Sequence, residues 1–460
     1  MHPAVVFTVL SLVFGLAVIA VVPPFRGHDE PAHFLRAYAF TGGEILPATK
    51  DAHGRSGTYL PARLYDDFAF FEQLMHRSRA IGFDYHRGMA DHARFRASLP
   101  AVTDADPPVF VLYSGSESYT PVGYLPYIAG AAVARALDLD FLGTLTAMRA
   151  AGVLSLTAII AYAIACAPAF GWPLLLIAML PSALYARSIV GVDAAALACT
   201  LVAVALCLRA LGPGAASVGK RALWITLSAL TKPPHVAFVL LEAMTGSLRE
   251  LRSRWHTVLL VVLPGVLLAS LWVLATGGDV AAWRMLDGTN KPADLFDPLR
   301  KLAFALENPW HFPQAVINSM GADYGPQILH QIIGVLGWLD TDLRAWVYPA
   351  LALLLLSVSL GWNFDPAHRR RVAAVAALVT FAYVAAVYVI FYLVWSAPTS
   401  DRVDGVQGRY FVAALPTLCL LVSALAPIRV PARVRALAAI AGALIAGLAT
   451  LEAVLRTDWP

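Results

Sequence analysis

Along the chain, uninterrupted apolar stretches alternate with polar segments. Each stretch is close to the roughly twenty residues that carry an α-helix across a bilayer. Nine are long enough: 4–22, 143–166, 170–187, 191–211, 256–276, 345–362, 373–396, 410–426 and 436–455. Two more are irregular. Residues 121–137 (PVGYLPYIAGAAVARAL) are short for a crossing, and 222–247 is interrupted by Lys232-Pro233-Pro234. The pattern predicts an all-α polytopic membrane protein, a single integral domain over residues 1–460 with about 11 transmembrane helices. The first run lacks an A-x-A-like cleavage site and a charged start, so it reads as a first transmembrane helix and not as a signal peptide.

Charge placement orients the chain. Suppose 121–137 lies on or re-enters the membrane, and the Lys-Pro-Pro break turns 222–247 into two short helices that go out and come back. Every basic connection then falls on one side: Arg209, Lys220 and Arg221; Arg249, Arg252 and Arg254; Arg369, Arg370 and Arg371; Arg429, Arg433 and Arg435. Against these twelve stand two acids, Glu250 and Asp365, as the positive-inside rule requires of the cytoplasmic face. The other threading, with 121–137 a full span and 222–247 a single helix, puts Arg209, Lys220 and Arg221 outside. Both give an N-terminus inside and a C-terminus outside. The first extracytoplasmic loop is then 23–120, with interfacial helices, and the second large one is 277–344, where PQILHQIIGVLGWLD has the spacing of an amphipathic or re-entrant helix.

Composition narrows the class further. Hydrophobic residues make up 59% of the chain and charged residues 14%, against about 25% charged in a soluble domain. Soluble globular, disordered, collagenous and disulfide-scaffold proteins are excluded together. The net charge of +4 sorts into membrane-flanking loops and gives nucleic acid binding no support. Cys166, Cys199, Cys207 and Cys419 all fall in apolar runs without CxxC spacing and read as small core residues.

Candidate chemistry gathers in the outward segments. After the first span comes PPFRGHDEPAHFLRAYAF. Asp29 and Glu30 before Pro31 are ordinary helix-start grammar. Yet Asp29, His33 and Arg36, spaced i, i+4, i+7, share one helical face, where a carboxylate beside an imidazole can take a proton from an incoming hydroxyl. His28, Asp29, Glu30 and His33 lack both a second ExxH copy and the HExxH spacing. A lone divalent cation, Mg or Mn, held by Asp29 and Asp193 is the metal arrangement left. Asp193 opens a span and reads as a helix cap or as a functional carboxylate at membrane depth. Lys232, at the outer end of the broken helix, reads as a snorkelling lysine or as a ligand for a lipid phosphate. In DRVDGVQGRYF, Gln407, Arg409 and Tyr410 set an amide, a guanidinium and a phenol at the membrane surface, either as an anchor or as a phosphate clamp. Residues 214–220, GAASVGK, mimic a phosphate-binding loop, but Arg221 stands where Ser or Thr should be and no strand precedes it.

The segments PPFRGHDEPAHFLRAYAF, YTPVGYLPYIAG, LPSALYARSIVGVD, TKPP, QIIGVLGWLD and GVQGRYF, in this order, resemble domain-of-unknown-function family 2142 of bacterial membrane proteins. That family is grouped with the GT-C superfamily of integral membrane glycosyltransferases. The resemblance implies a GT-C-like helix bundle with a large first extracytoplasmic loop, in a bacterial plasma membrane. It implies a catalytic base at an acid of the first outward loop, here Asp29 or Glu30, and a second outward acid, matched by Asp193. Lys232 matches a lysine that lies near the lipid phosphate in many relatives. The donor implied is a polyprenyl-phosphate sugar, the acceptor a cell-envelope glycan, lipid or protein, and the surroundings membrane lipid. On this reading the sugar moves with inversion, Lys232, Arg409 and Tyr410 bind the donor phosphate, and His33, Arg36, Asp193 and Gln407 support them. The alternatives are a flippase or transporter of a lipid-linked or soluble substrate, and a non-catalytic envelope-assembly protein. Against a transporter stand the lack of an internal repeat and the concentration of suspect polar residues on one side.

Overall fold

The computed structural model describes residues 2–81, 84–100, 106–113, 115–212, 217–286, 297–321, 324–397, 399–426, 428 and 430–460. Arg429 of the charge count and 214–216 of the GAASVGK stretch lie outside them. Helix α1 (Pro3–Val21) leads into the first loop, whose described parts hold α2 (Glu30–Thr41), α3 (Ala62–Ile81) and α4 (Tyr85–Ser98). A two-stranded antiparallel ribbon, β1 (Gly57–Leu60) with β2 (Val109–Leu112), closes it. Phe25, Phe34, Phe68 and Phe141 pack edge to face under this layer, with centroids 5.0 to 6.3 Å apart. The loop is thus a folded cap with its own aromatic core.

The short segment 121–137 forms a 3-10 turn and then α5 (Leu125–Ala136), only twelve residues long. It lies against α6 (Phe141–Cys166), where Gly130 and Gly152 allow close approach: a Cβ on Gly130 would sit 2.7 Å from the backbone of Met148. The expected span 170–187 is instead two helices, α7 (Gly171–Met179) and α8 (Pro181–Arg187), bent by 72°. Pro181 explains the break, because the residue before a proline is driven out of helical geometry, and Leu180 has ψ 143°. Helix α9 (Asp193–Arg209) is apolar all round and every residue from Ala194 to Leu208 is buried, the signature of a central core helix.

Helix α10 (Val218–Thr231) stops at Lys232-Pro233-Pro234, and 233–245 continues as a 3-10 helix. The division expected at Lys-Pro-Pro is therefore present. Ser217 caps α10 through the Lys220 amide, so the described end of GAASVGK is a helix start. After α11 (Leu248–Ser253), α12 (Trp255–Leu286) runs through Pro264. In the second large loop expected outside, α13 (Pro298–Glu307), α14 (His311–Ser319) and α15 (Gly325–Gly334) are short amphipathic helices, followed by a hairpin of β3 (Val335–Leu336) and β4 (Thr341–Asp342). Helix α16 (Val347–Ser359) is thirteen residues, shorter than the run that suggested it. Helix α17 (Arg369–Val394) is full length. A 3-10 segment, 408–414, precedes α18 (Leu415–Leu425), and α19 (Ala432–Asp458) ends the chain.

Among the described residues, six helices are long and apolar enough to cross a membrane, or seven if the bent α7–α8 pair counts as one. Small residues bring the bundle together. In α19, Ala439, Gly442, Ala443, Ala446 and Gly447 are buried, and a Cβ on Gly447 would strike the Phe14 ring at 2.4 Å. Close backbone approach of this kind is the main source of helix association where lipid removes the hydrophobic drive.

Candidate functional site

Four distant stretches of sequence converge where α1 hands over to α2. The chain enters α2 through Asp29, which has φ +53° and whose side chain makes no capping hydrogen bond. Asp is among the few non-glycine residues that tolerate this left-handed conformation. The twist sends two adjacent carboxylates in different directions. Glu30 goes inward and is fully buried. It pairs with Arg149 at 2.7 and 2.8 Å and accepts hydrogen bonds from the amides of Gly27 and Val190. Asp29 goes the other way, remains half exposed, and accepts from Arg409 at 2.7 Å.

Arg409 is the second residue of the 3-10 segment before α18, and its guanidinium also lies 3.4 Å from Asp193, the first residue of α9. Asp193 is in turn bonded to Lys232 Nζ. Asp29, Arg409, Asp193 and Lys232 thus form one alternating chain of charge, drawn from residues up to 380 positions apart. Gln407 accepts from Arg409 Nε at 2.6 Å and steadies it. The Tyr410 ring lies 4.9 Å from Lys232 Nζ and 5.1 Å from the Arg409 guanidinium, within cation–π reach of both. Neither Asp29 nor Asp193 spends its carboxylate on a helix cap.

His33 lies one turn along α2 and is bonded to the Tyr124 hydroxyl at 2.6 Å. Burial holds its ring down to about 4, although Asp29 and Asp193 work in the other direction. Burial, reinforced by Arg409, takes His28 down to about 3. Both imidazoles are therefore neutral at pH 7. For Asp29, burial alone would raise the carboxyl, but Arg409 above all, helped by His33, holds it below its ordinary value. Asp29 is an anion at neutral pH. Arg36 requires a correction. Its spacing puts it on the Asp29 face, but it is fully buried a further turn away, donating to the carbonyls of Glu44 and Ile45 and stacking on Phe40. It holds the cap together and bonds neither Asp29 nor His33.

A cavity of about 300 Å³ opens onto this cluster. Asp29, His33, Tyr119, Lys232, Gln407 and Tyr410 line its polar end. Val387, Ile390, Phe391 and Val394 of α17, at helical spacing, with Trp395 at its C-cap, give it an apolar wall two turns long. Sequence reasoning missed three of its parts. Tyr119 is in the YTPVGY segment and Trp395 at a helix end, both positions where an aromatic ring is unremarked. Tyr383 lies mid-helix in α17, with its hydroxyl donating to the Tyr410 carbonyl at 2.7 Å and 3.2 Å from His235. Arg149, the partner of Glu30, was also missed, because an arginine inside an apolar run carries no signal of what it faces. Among the described residues, no cluster of three or more His, Cys, Asp or Glu side chains is arranged to hold a metal ion.

A family model described as predicted membrane protein (DUF2142) matches residues 12–418. No curated protein matches the chain, and no solved structure does.

Proposed function

We propose that this chain, which belongs to the DUF2142 family of predicted membrane proteins, is a bacterial inner-membrane glycosyltransferase. It would move a sugar from a polyprenyl-phosphate donor to an envelope acceptor outside the cytoplasm. One observation carries the reading: a single cavity joins an apolar wall suited to an isoprenoid chain, a cation, Lys232, suited to its phosphate, and the Asp29 carboxylate, which Arg409 bonds from outside the lining. The apolar runs and the sequence resemblance also support a GT-C-like bundle of about eleven spans with these groups on the outer face.

The reaction follows from the charge chain. Arg409 and Lys232 are each held by a carboxylate, so an incoming phosphate competes for both. As Arg409 turns to the phosphate, Asp29 loses the guanidinium that quiets it and becomes a better base. Asp29 then takes the proton from the acceptor hydroxyl, whose oxygen attacks the anomeric carbon as the bond to the phosphate oxygen breaks. The configuration inverts, and the lipid phosphate leaves with its negative charge facing Arg409 and Lys232. A Mg or Mn ion bridging Asp29 and Asp193 would have to displace Arg409, which already bonds both.

A carrier for a lipid-linked or soluble substrate is the second reading, and it too has an observation in its favour. A hydrogen-bonded chain runs from Tyr383 through His235 to Thr200 and Ser228 in the bundle interior, where polar groups are functional suspects. Mass spectrometry of the host's envelope glycans separates the readings. In a deletion strain a defined sugar is missing, and it stays missing when a stably expressed Asp29→Asn is supplied. Full restoration by Asp29→Asn would exclude transfer through Asp29 and leave the carrier or an envelope-assembly role.

A further inference from the structure

A second cavity of about 220 Å³ lies beside the first, and Gly405 lines both. Gly405 has φ +79°, and a Cβ there would lie 2.6 Å from the Trp395 ring, so the partition between the cavities is a bare backbone. Tyr324, Gln327, Gln331, Arg402 and Asp404 supply the polar groups of the second cavity. Its walls are fixed. The Asn318 amide donates to the Asp401 carbonyl at 2.7 Å, Val403 N donates to Ser319 Oγ at 2.8 Å, and Asp404 N to Ser396 Oγ at 2.8 Å. Gly408 N donates to Gln331 Oε1 at 2.6 Å, which ties this cavity to the segment that carries Arg409.

The two cavities differ in charge. Arg402 Nε lies 3.2 Å from Asp404 Oδ1, and the guanidinium sits 4.7 Å over the Tyr324 ring. Cation and anion cancel, so a phosphate finds no unmatched charge here. An apolar chain would offer nothing to the Gln327 carboxamide or to the amide nitrogen of Gln331. What the lining offers is a mixture of neutral donors and acceptors, carboxamide and phenol, which suits a ligand whose every polar group both donates and accepts. Sugar hydroxyls do this. The volume, about seven waters at ~30 Å³ each, is the scale of one pyranose ring.

We infer that the cavity between α14, α15 and residues 402–406 binds a neutral sugar ring of the acceptor. The inference rests on the transferase reading for the word acceptor, but the binding itself does not require turnover. The division of labour is then physical. The charged, half-apolar cavity takes the lipid phosphate, the neutral polar one takes the glycan, and only the backbone of Gly405 separates them.

Saturation-transfer NMR on the full chain in nanodiscs tests it, using methyl α-glucopyranoside, methyl α-galactopyranoside and methyl α-mannopyranoside as probes. At least one should receive saturation on its ring protons, with the signal lowered at least fivefold in Gln327→Ala and in Arg402→Ala and unaffected by added decaprenyl phosphate. Both variants change exposed side chains, and a wild-type melting midpoint establishes that each is folded. Should no pyranoside receive saturation, or should the signal persist in both folded variants, the assignment fails. If Asp29→Asn restores the envelope glycans while the pyranoside signal and its variant dependence hold, transfer fails and the sugar site stands. If the glycan loss holds without any pyranoside signal, the reverse is true.

Discussion

At the scale of single residues, Asp29 and Glu30 show what a sequence can and cannot convey. That an acidic pair opens the first loop is plain in the letters HDEPAH. Which of the two faces the cavity depends on one backbone angle, φ +53° at Asp29, and no spacing rule reports that. The two situations predict opposite phenotypes. Glu30→Gln leaves Arg149 buried and uncompensated, which costs about 3–5 kcal/mol, and its melting temperature in detergent should drop sharply. Asp29→Asn keeps a residue that tolerates the left-handed backbone, so its melting should match wild type while activity is lost. Equal melting of the two variants would show that the buried pair contributes nothing. The titrations add a second expectation. Asp29 lies below its ordinary value and loses its charge only on strong acidification, while His33 takes a proton only near 4. Neither changes state between pH 6 and 8, so the rate in vitro should be flat there and fall only on the acid side. A limb near 6.5, the ordinary histidine value, would move the proton transfer to an imidazole.

At the scale of elements, the apolar runs located the helices, because burial in lipid and burial in a core both demand continuous apolar sequence. They did not locate the bend at Leu180-Pro181 or the 3-10 continuation after Pro234, since hydropathy is blind to which backbone hydrogen bond is made. The break at Lys232 was legible because proline forbids helix through it. The site depends on another element whose geometry was hidden, the 3-10 segment 408–414. Gly408 sits where a Cβ would be 2.1 Å from the Ile328 carbonyl and 2.6 Å from Gln331, so α15 presses directly on the backbone one residue before Arg409. Neither partner is a flexible side-chain tip alone, and the close approach cannot be relieved without moving the segment. Gly408→Ala should therefore displace Arg409 from Asp29 and Asp193 and reduce transfer at least tenfold, read by the same glycan analysis, at near-normal expression. Full activity in Gly408→Ala would mean that Arg409 needs no such placement.

At the scale of the whole molecule, the contacts bear on the threading that charge could only favour. Asp29 and Asp193 both bond Arg409, so the start of α9 and the first loop share one end of the bundle. The threading with 121–137 as a full span would put them on opposite sides, and this contact argues for the other one. Lys50 bonds Asp279 at 2.5 Å, which brings the end of α12 to that same end, as Arg26 does for α19 through Asp458 at 2.9 Å. Pro3 lies at the other end, near Gly171. The proposed threading requires an odd number of crossings, with these two ends of the chain on opposite faces, and on that proposal the basic loops share the face away from the site. Impermeant thiol labelling of intact cells and inverted vesicles can test this, because Cys166, Cys199, Cys207 and Cys419 are all buried and should stay silent. Leu248→Cys, 86% exposed among the basic loops, should label only in inverted vesicles. Leu299→Cys, 76% exposed on α13, should label only in intact cells. Labelling of both from the same side would break the link between the basic face and the far face of the site, and with it the expectation that donor and acceptor meet outside the cytoplasm.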